Sequence, residues 1–147
     1  MNLKKPQVLL ISIKPEFVQK ILDKQKTIEL RKARPQLNIG DFILVYESSP
    51  TKSLVGWFEV QEIIYEEIQV LWKKVKDDAG VSKKEFDDYY QKSNFGVGIR
   101  IKDRFTSKLS LEEIRKTWVR FRPPQSFHYL KEDEIAIAEK ITGFNLG

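Results

Sequence analysis

Apolar positions along the chain repeat with two periods, and the switches between them mark out the elements. Gln7-Val8-Leu9-Leu10-Ile11-Ser12 is a short apolar run rich in β-branched residues and predicts a buried strand. Lys14-Pro15-Glu16 opens a helix, since proline is tolerated in the first turn and an acid suits the positive end of the dipole. Phe17, Val18, Ile21 and Leu22 then form one apolar stripe. Thr27–Arg31 alternates: Ile28 and Leu30 share one face, and Thr27, Glu29 and Arg31 share the other, which predicts a half-buried strand. Gly40-Asp41 is a turn before the strand Phe42–Tyr46, and Ser48-Ser49-Pro50-Thr51 is loop chemistry. Leu54–Ile64 is a long strand in which Gly56 marks a bulge or a close approach of another backbone.

The middle of the chain changes to helical spacing. Ile68, Leu71, Trp72 and Val75 repeat at i, i+3, i+4, i+7, and Gly80 ends the pattern. Ser82-Lys83-Lys84-Glu85 is a capping box for a second helix that carries Phe86, Tyr89 and Tyr90. Phe95–Ile101 alternates strictly and predicts a strand. Ser110-Leu111-Glu112-Glu113 is another capping box, opening a helix to about Thr117. Arg122–Phe127 is extended because paired prolines forbid helix, and Leu130–Lys140 is a terminal helix. Short strands interrupted by helices predict an α+β fold with a small barrel-like sheet, in one domain over residues 1–147.

Composition narrows the chemistry. The 147 residues contain no cysteine and one histidine, which removes disulfides, thiolate catalysis and Cys- or His-rich metal sites. The longest early apolar stretch, Val8–Ile13, is too short for a bilayer span or a signal core, so the cytoplasm is the default compartment. The net charge of +5 is unevenly spread. Residues 1–34 carry +6, 35–98 carry −4, 99–122 carry +5 and 123–147 carry −2. Two basic blocks around an acidic one are the footprint of a polyanion binder if the fold joins them, and ordinary solvated faces if it does not.

The segment Asp23–Pro35 reads DKQKTIELRKARP. Glu29 and Arg31 point the same way from one strand, with Lys26 just ahead at the helix-to-strand corner. Such a cluster can hold a phosphate or a polar base, or can be an exposed ion-pair ladder of little value. The stretch resembles the ASCH domain, a PUA-like family with the hallmark G-x-K-x-x-E-x-R. Lys26, Glu29 and Arg31 match its last three positions, and Lys24 stands where the family has glycine. Leu9–Pro15, Tyr46–Lys52 with Val55-Gly56-Trp57-Phe58, Trp72, Tyr90 and Arg122–Phe127 extend the resemblance over nearly the whole chain. The later features are similar to a subgroup described as transcriptional regulators. The resemblance implies a PUA-like β-barrel of five or six strands with flanking helices. It also implies a cleft where the Lys26–Glu29–Arg31 strand approaches the Tyr46 block, and RNA or a nucleotide as partner.

Within that cleft the residues offer cations (Lys26, Arg31, Lys52), one carboxylate (Glu29), hydroxyls (Tyr46, Ser48, Ser49, Ser126) and the Gln125 amide. Trp57, Phe127 and Tyr129 are stacking candidates, and for any one of them the competing expectation is core packing. The leading expectation is a regulatory domain that binds single-stranded RNA or a nucleobase through Lys26, Glu29, Arg31, Ser48, Ser49, Trp57 and Gln125. The alternative is a ribonuclease: some family members carry a Tyr, a Lys six residues later and a distant Ser, and Tyr46, Lys52 and Ser126 match that pattern. His128 is a further candidate acid or base, set against a surface-loop role. Amide hydrolysis, which other ASCH proteins resemble, calls for Thr three residues after the Lys, and Glu29 stands there. A third reading is a non-catalytic regulator that binds a small ligand or a protein partner, with its acidic 59–88 stretch as a contact surface, set against a plain solvated helical face. No cofactor is implied. A divalent metal on Glu29 or Glu47 would suit a ribonuclease but has no spacing signature. No membrane partner is expected, and the oligomeric state is not legible.

Overall fold

The computed structural model describes residues 5–147, and the fold is α+β. In chain order the elements are β1 (Val8–Ile13), α1 (Pro15–Leu22), β2 (Ile28–Arg31), β3 (Phe42–Glu47) and β4 (Ser53–Glu67). Then follow α2 (Ile68–Val75), α3 (Lys83–Tyr89), β5 (Phe95–Ser110), α4 (Leu111–Thr117), β6 (Phe127–Tyr129) and α5 (Glu132–Thr142). The chain resolves into two compact units. Unit 1 comprises the N-terminal residues through Pro15, Gly40–Glu59 and Asp103–Gly147, and unit 2 comprises Glu16–Ile39 and Val60–Lys102. Strands β4 and β5 each contribute one end to either unit.

Unit 1 is built on the strand order β5-β4-β3-β1-β6. β1 runs parallel to β3 with Ser12 opposite Tyr46, which is permitted because α1 and β2 intervene in sequence. β6 closes onto β1 antiparallel, with Ile11 opposite Phe127. Every residue of β3 is buried, so this strand reads as a continuous apolar run. The core gathers Val8, Leu10, Phe42, Leu44, Tyr46, Leu54 and Trp57 from the sheet, with Ile114, Trp118, Phe121 and Ala138 from the helical side. The β3–β4 register shifts between Val45 and Tyr46, opposite Gly56, which has φ of +156°. A Cβ on Gly56 would collide with the Phe105 carbonyl oxygen and lie 2.9 Å from the Thr106 Cα. Both features read from the sequence, bulge and close approach, are therefore present.

Unit 2 has the order β2-β5-β4. β2 pairs antiparallel with β5, Leu30 opposite Gly98. Its core is Ile28, Leu30, Leu71, Val75, Ala79, Phe86 and Tyr90. Ser82 caps α3 through a reciprocal pair of bonds with Glu85, and Ser110 does the same for α4 with Glu113 in unit 1. Both capping boxes fall where the sequence placed them.

Three expectations change. β5 continues to Ser110, nine residues beyond Ile101, because the charged run Lys102-Asp103-Arg104 disguises a backbone that stays paired. Phe127–Tyr129 is a strand that the preceding prolines concealed. The last helix starts at Glu132, and Lys131 takes the N-cap position.

Candidate functional site

In unit 2 the hallmark residues are positioned by the end of α1. Lys24 has φ of +62° and occupies the left-handed position that ends a helix in a Schellman turn. Gln25 N–H donates to the Lys20 carbonyl at 2.8 Å and Lys24 N–H to the Ile21 carbonyl at 3.1 Å, the two bonds of that turn. This explains the family's glycine: the slot needs positive φ, and Lys24 adopts it under strain. The turn delivers Lys26 inward. Gly80, with φ of +66°, lies against it, and a Cβ there would sit 2.9 Å from the Lys26 Cβ.

Lys26 is 3 % exposed and Glu29 6 % exposed, so the polar face of β2 is buried and not a solvated ladder. The Lys26 ammonium donates to the Ala79 carbonyl at 2.8 Å and lies 3.5 Å from a Glu29 oxygen. The other Glu29 oxygen accepts from two Arg31 guanidinium nitrogens, at 2.7 and 3.0 Å. Burial pulls the Lys26 pKa below the ordinary lysine value, with Glu29 opposing the shift. Glu29 is thus the hinge of a Lys–carboxylate–Arg triad, with both cations on one acid.

In unit 1 the pairing of β1 with β3 sets Ser12 beside Tyr46. Ser12 N–H donates to the Ser126 carbonyl at 3.1 Å, and the Ser12 hydroxyl donates to the Pro124 carbonyl. The structure therefore brings the Tyr46 strand and the 122–126 segment together through Ser12. Tyr46 is 2 % exposed. Its ring packs on Phe121 at 5.6 Å, and its hydroxyl is the single buried side-chain polar atom among the described residues without a hydrogen-bond partner. Burial raises the Tyr46 pKa, and the positive charge of Arg115 pulls the other way. Arg115 Nε donates to the Phe121 carbonyl at 3.2 Å.

Lys52 sits in the β3–β4 connection with its side chain exposed and φ of +52°, a backbone conformation that non-glycine residues rarely hold. Its carbonyl accepts from Leu111 N–H at 2.9 Å. Ser48 is half-buried, its N–H donating to the Ile13 carbonyl at 2.9 Å, while Ser49, Gln125 and Ser126 are exposed. Trp57 is corrected from a ligand-binding expectation to core. It is fully buried, tilted against Phe144 at 5.7 Å, and its indole N–H donates to the Thr142 hydroxyl at 3.0 Å. No ring face is left to stack a base. His128 lies exposed on β6 with its Nε2 3.2 Å from a Glu134 oxygen. Ser12 and Arg115 escaped sequence reasoning. Ser12 lies within the Leu9–Pro15 stretch but nothing there singles it out, Arg115 lies in no motif, and only the parallel β1–β3 pairing and the packing of α4 place them near Tyr46.

No cluster of three or more His, Asp or Glu side chains suited to a metal occurs among the described residues. None of their helices is long and apolar enough to cross a membrane.

An α+β chain with Lys26 at the corner after its first helix and Glu29 and Arg31 on the strand that follows is the arrangement the hallmark motif anticipates. The ASCH domain model matches residues 11–105, and the chain belongs to the ASCH domain family. It is 26 % identical over 125 residues to the ASCH domain-containing ribonuclease of Zymomonas mobilis, covering 84 % of both chains. The crystal structure of ASCH from Zymomonas mobilis superposes with a TM-score of 0.83 at 25 % identity, covering 92 % of this chain and 95 % of that one. The PUA-like α+β class follows from the same likeness. The large ribosomal subunit protein uL22 of Ureaplasma parvum is 30 % identical over 128 residues, and the match spans 85 % of this chain but 40 % of that protein.

Proposed function

We propose that this chain is an RNA-binding ASCH module that takes a nucleotide or a short single-stranded segment of cytoplasmic RNA at the Tyr46–Ser126 end of unit 1. The observation that carries the reading is the Tyr46 hydroxyl. A buried phenol O–H without a protein partner is costly to keep, and that cost supports a role for it in meeting a ligand. A tyrosine is protonated at neutral pH, and burial pushes its pKa further up, so its hydroxyl is available as a donor toward a phosphate or base oxygen. Reaching it takes a rearrangement of the side chains that seal it. Lys52 and Arg115 supply positive charge. Ser48, Ser49, Gln125 and Ser126 supply polar contacts on the adjoining loops. In unit 2 we assign Arg31, held by Glu29, to the RNA backbone, and Lys26 to holding Glu29 in place.

The Zymomonas relative's name favours a second reading, phosphodiester cleavage. The 2′-hydroxyl would give up its proton to solvent water as its oxygen attacks phosphorus, and the 5′-oxygen would leave with a proton from the protein. Lys52 would stabilise the charge gathering on the phosphoryl oxygens, and Tyr46 would donate toward the departing oxygen. A protonated phenol is unsuited to removing the 2′-hydroxyl proton, so Tyr46 is an acid in this scheme and not a base. Fluorescence anisotropy with labelled single-stranded RNA tests binding, and gel analysis of the same RNA with and without magnesium tests cleavage. Wild type should bind with strong salt dependence, and Lys52→Ala should weaken binding. Binding that ignores salt, or none at micromolar protein, would overturn the reading. Cleavage equal in wild type and Lys52→Ala would remove the second.

A further inference from the structure

Unit 2 carries a second group of aromatic side chains that its core does not use. Tyr65 is 44 % exposed, Phe95 45 % and Tyr89 40 %. Tyr65, near the end of β4, and Phe95, at the start of β5, lie nearly parallel with ring centres 5.5 Å apart and planes 18° apart. The Arg34 guanidinium lies 5.5 Å from the Tyr65 ring centre, and the Lys32 ammonium 4.9 Å from that of Tyr89. Lys32 and Arg34 follow directly on β2, whose last residue is tied to the same region because Tyr90 O–H donates to the Arg31 carbonyl at 2.9 Å. Among the acids close in sequence, Glu66 pairs with Lys74 at 2.9 Å, Asp87 with Lys83 at 2.6 Å and Asp88 with Lys84 at 3.4 Å. Neither Lys32 nor Arg34 forms an ion pair among the described residues, so their charge is held over ring faces and not neutralised.

We propose that Tyr65, Phe95 and Tyr89, with Lys32 and Arg34, form a stacking platform for single-stranded RNA, separate from the Tyr46–Ser126 site. The occupant follows from the pairing of features. Half-exposed rings alone would suit any apolar partner, and cations alone any polyanion. A splayed nucleic-acid strand presents both π-faces and phosphates, and it is the partner that uses both features. Bases stack on Tyr65 and Phe95, and Lys32 and Arg34 meet the flanking phosphates. The platform is sequence-tolerant, because every base has a π-face. It would gather RNA without reading it. The proposal rests on RNA being the partner in the first place.

The test uses the full chain and an unstructured twelve-nucleotide RNA carrying 2-aminopurine, whose fluorescence falls when it stacks. Wild type should bind and quench the probe. Tyr65→Leu with Phe95→Leu keeps apolar bulk but removes both rings, and should weaken binding roughly tenfold or more and abolish quenching. Arg34→Gln, at an exposed position where the fold is not at stake, should weaken binding several-fold and lower the salt slope by about one. If wild type binds the RNA but the double variant and Arg34→Gln bind equally well with equal quenching, the platform is wrong and the RNA reading stands. If wild type fails to bind, both fall. Binding without quenching in wild type would also overturn stacking and leave the exposed rings to a protein partner.

Discussion

Replacing Tyr46 by Phe should make the protein more stable and less functional at once. The ring is 2 % exposed and packs on Phe121 at 5.6 Å, contacts that Phe retains. What Phe lacks is the hydroxyl, which has no hydrogen-bond partner in the protein. Leaving a buried polar group unsatisfied costs about 1–3 kcal/mol, and removing it together with its demand recovers part of that. The expected gain is about 1–2 kcal/mol at pH 7, which for a chain of this length raises Tm by roughly 2–4 °C per kcal/mol. A second signature comes from alkali. Burial raises the folded-state pKa of Tyr46 above its ordinary value of 10.0. The unfolded chain therefore releases the Tyr46 proton first. The contribution of this group is fully present below pH 10 and is lost as pH rises through the folded pKa. Tyr89 and Tyr90 are shifted the same way, so only the difference between variant and wild type isolates Tyr46. Urea unfolding at pH 7, 9 and 10.5 measures it. The advantage of Tyr46→Phe should persist at the lower two values and widen at the highest. A variant less stable than wild type at pH 7 would show that the hydroxyl is well bonded and would remove the basis for assigning it to a ligand.

Glu29→Gln leaves the buried Lys26 and half-buried Arg31 cations without their shared carboxylate. It should cost about 3–5 kcal/mol in urea unfolding, and a loss under 1 kcal/mol would mean that the triad is not what holds this corner. Lys24→Gly relieves the left-handed strain at φ +62° but frees the unfolded chain, for a net gain of about 0.5–1 kcal/mol read as a shift in urea midpoint. Gly56→Ala drives a Cβ into the Phe105 and Thr106 backbone and should destabilise by about 3 kcal/mol or more. Ser82→Ala and Ser110→Ala each break a reciprocal cap and should each cost about 1 kcal/mol by thermal unfolding.

Much of the fold was legible because its local signals agree. The two Ser-x-x-Glu boxes fix the starts of α3 and α4, and the Ile68–Val75 spacing fixes α2. Gly56 announced its own close contact. Hidden features depended on partners distant in sequence. The second half of β5 looks like a charged loop because its pairing, and not its hydrophobicity, keeps it extended. β6 is three residues whose strand character comes from β1. The candidate site divides in the same way. Lys26, Glu29 and Arg31 were readable as a motif, but their burial was not, since it depends on the Gly80 turn and the Ala79 carbonyl. Tyr46 was readable as a residue, while its missing partner and its neighbours Ser12 and Arg115 are products of β1–β3 pairing and α4 packing. Trp57 shows the converse: an aromatic beside a polar motif carries both a ligand-binding and a core expectation, and burial decides for the core.

The most direct test of the account is the salt dependence of single-stranded RNA affinity for wild type, Lys52→Ala and Tyr46→Phe, measured by anisotropy between about 50 and 200 mM salt. Wild type should lose affinity steeply with salt. Lys52→Ala should bind more weakly with a slope reduced by about one, and Tyr46→Phe should bind more weakly with an unchanged slope. Three superimposable curves would contradict the assignment of RNA to the Tyr46–Ser126 end of unit 1.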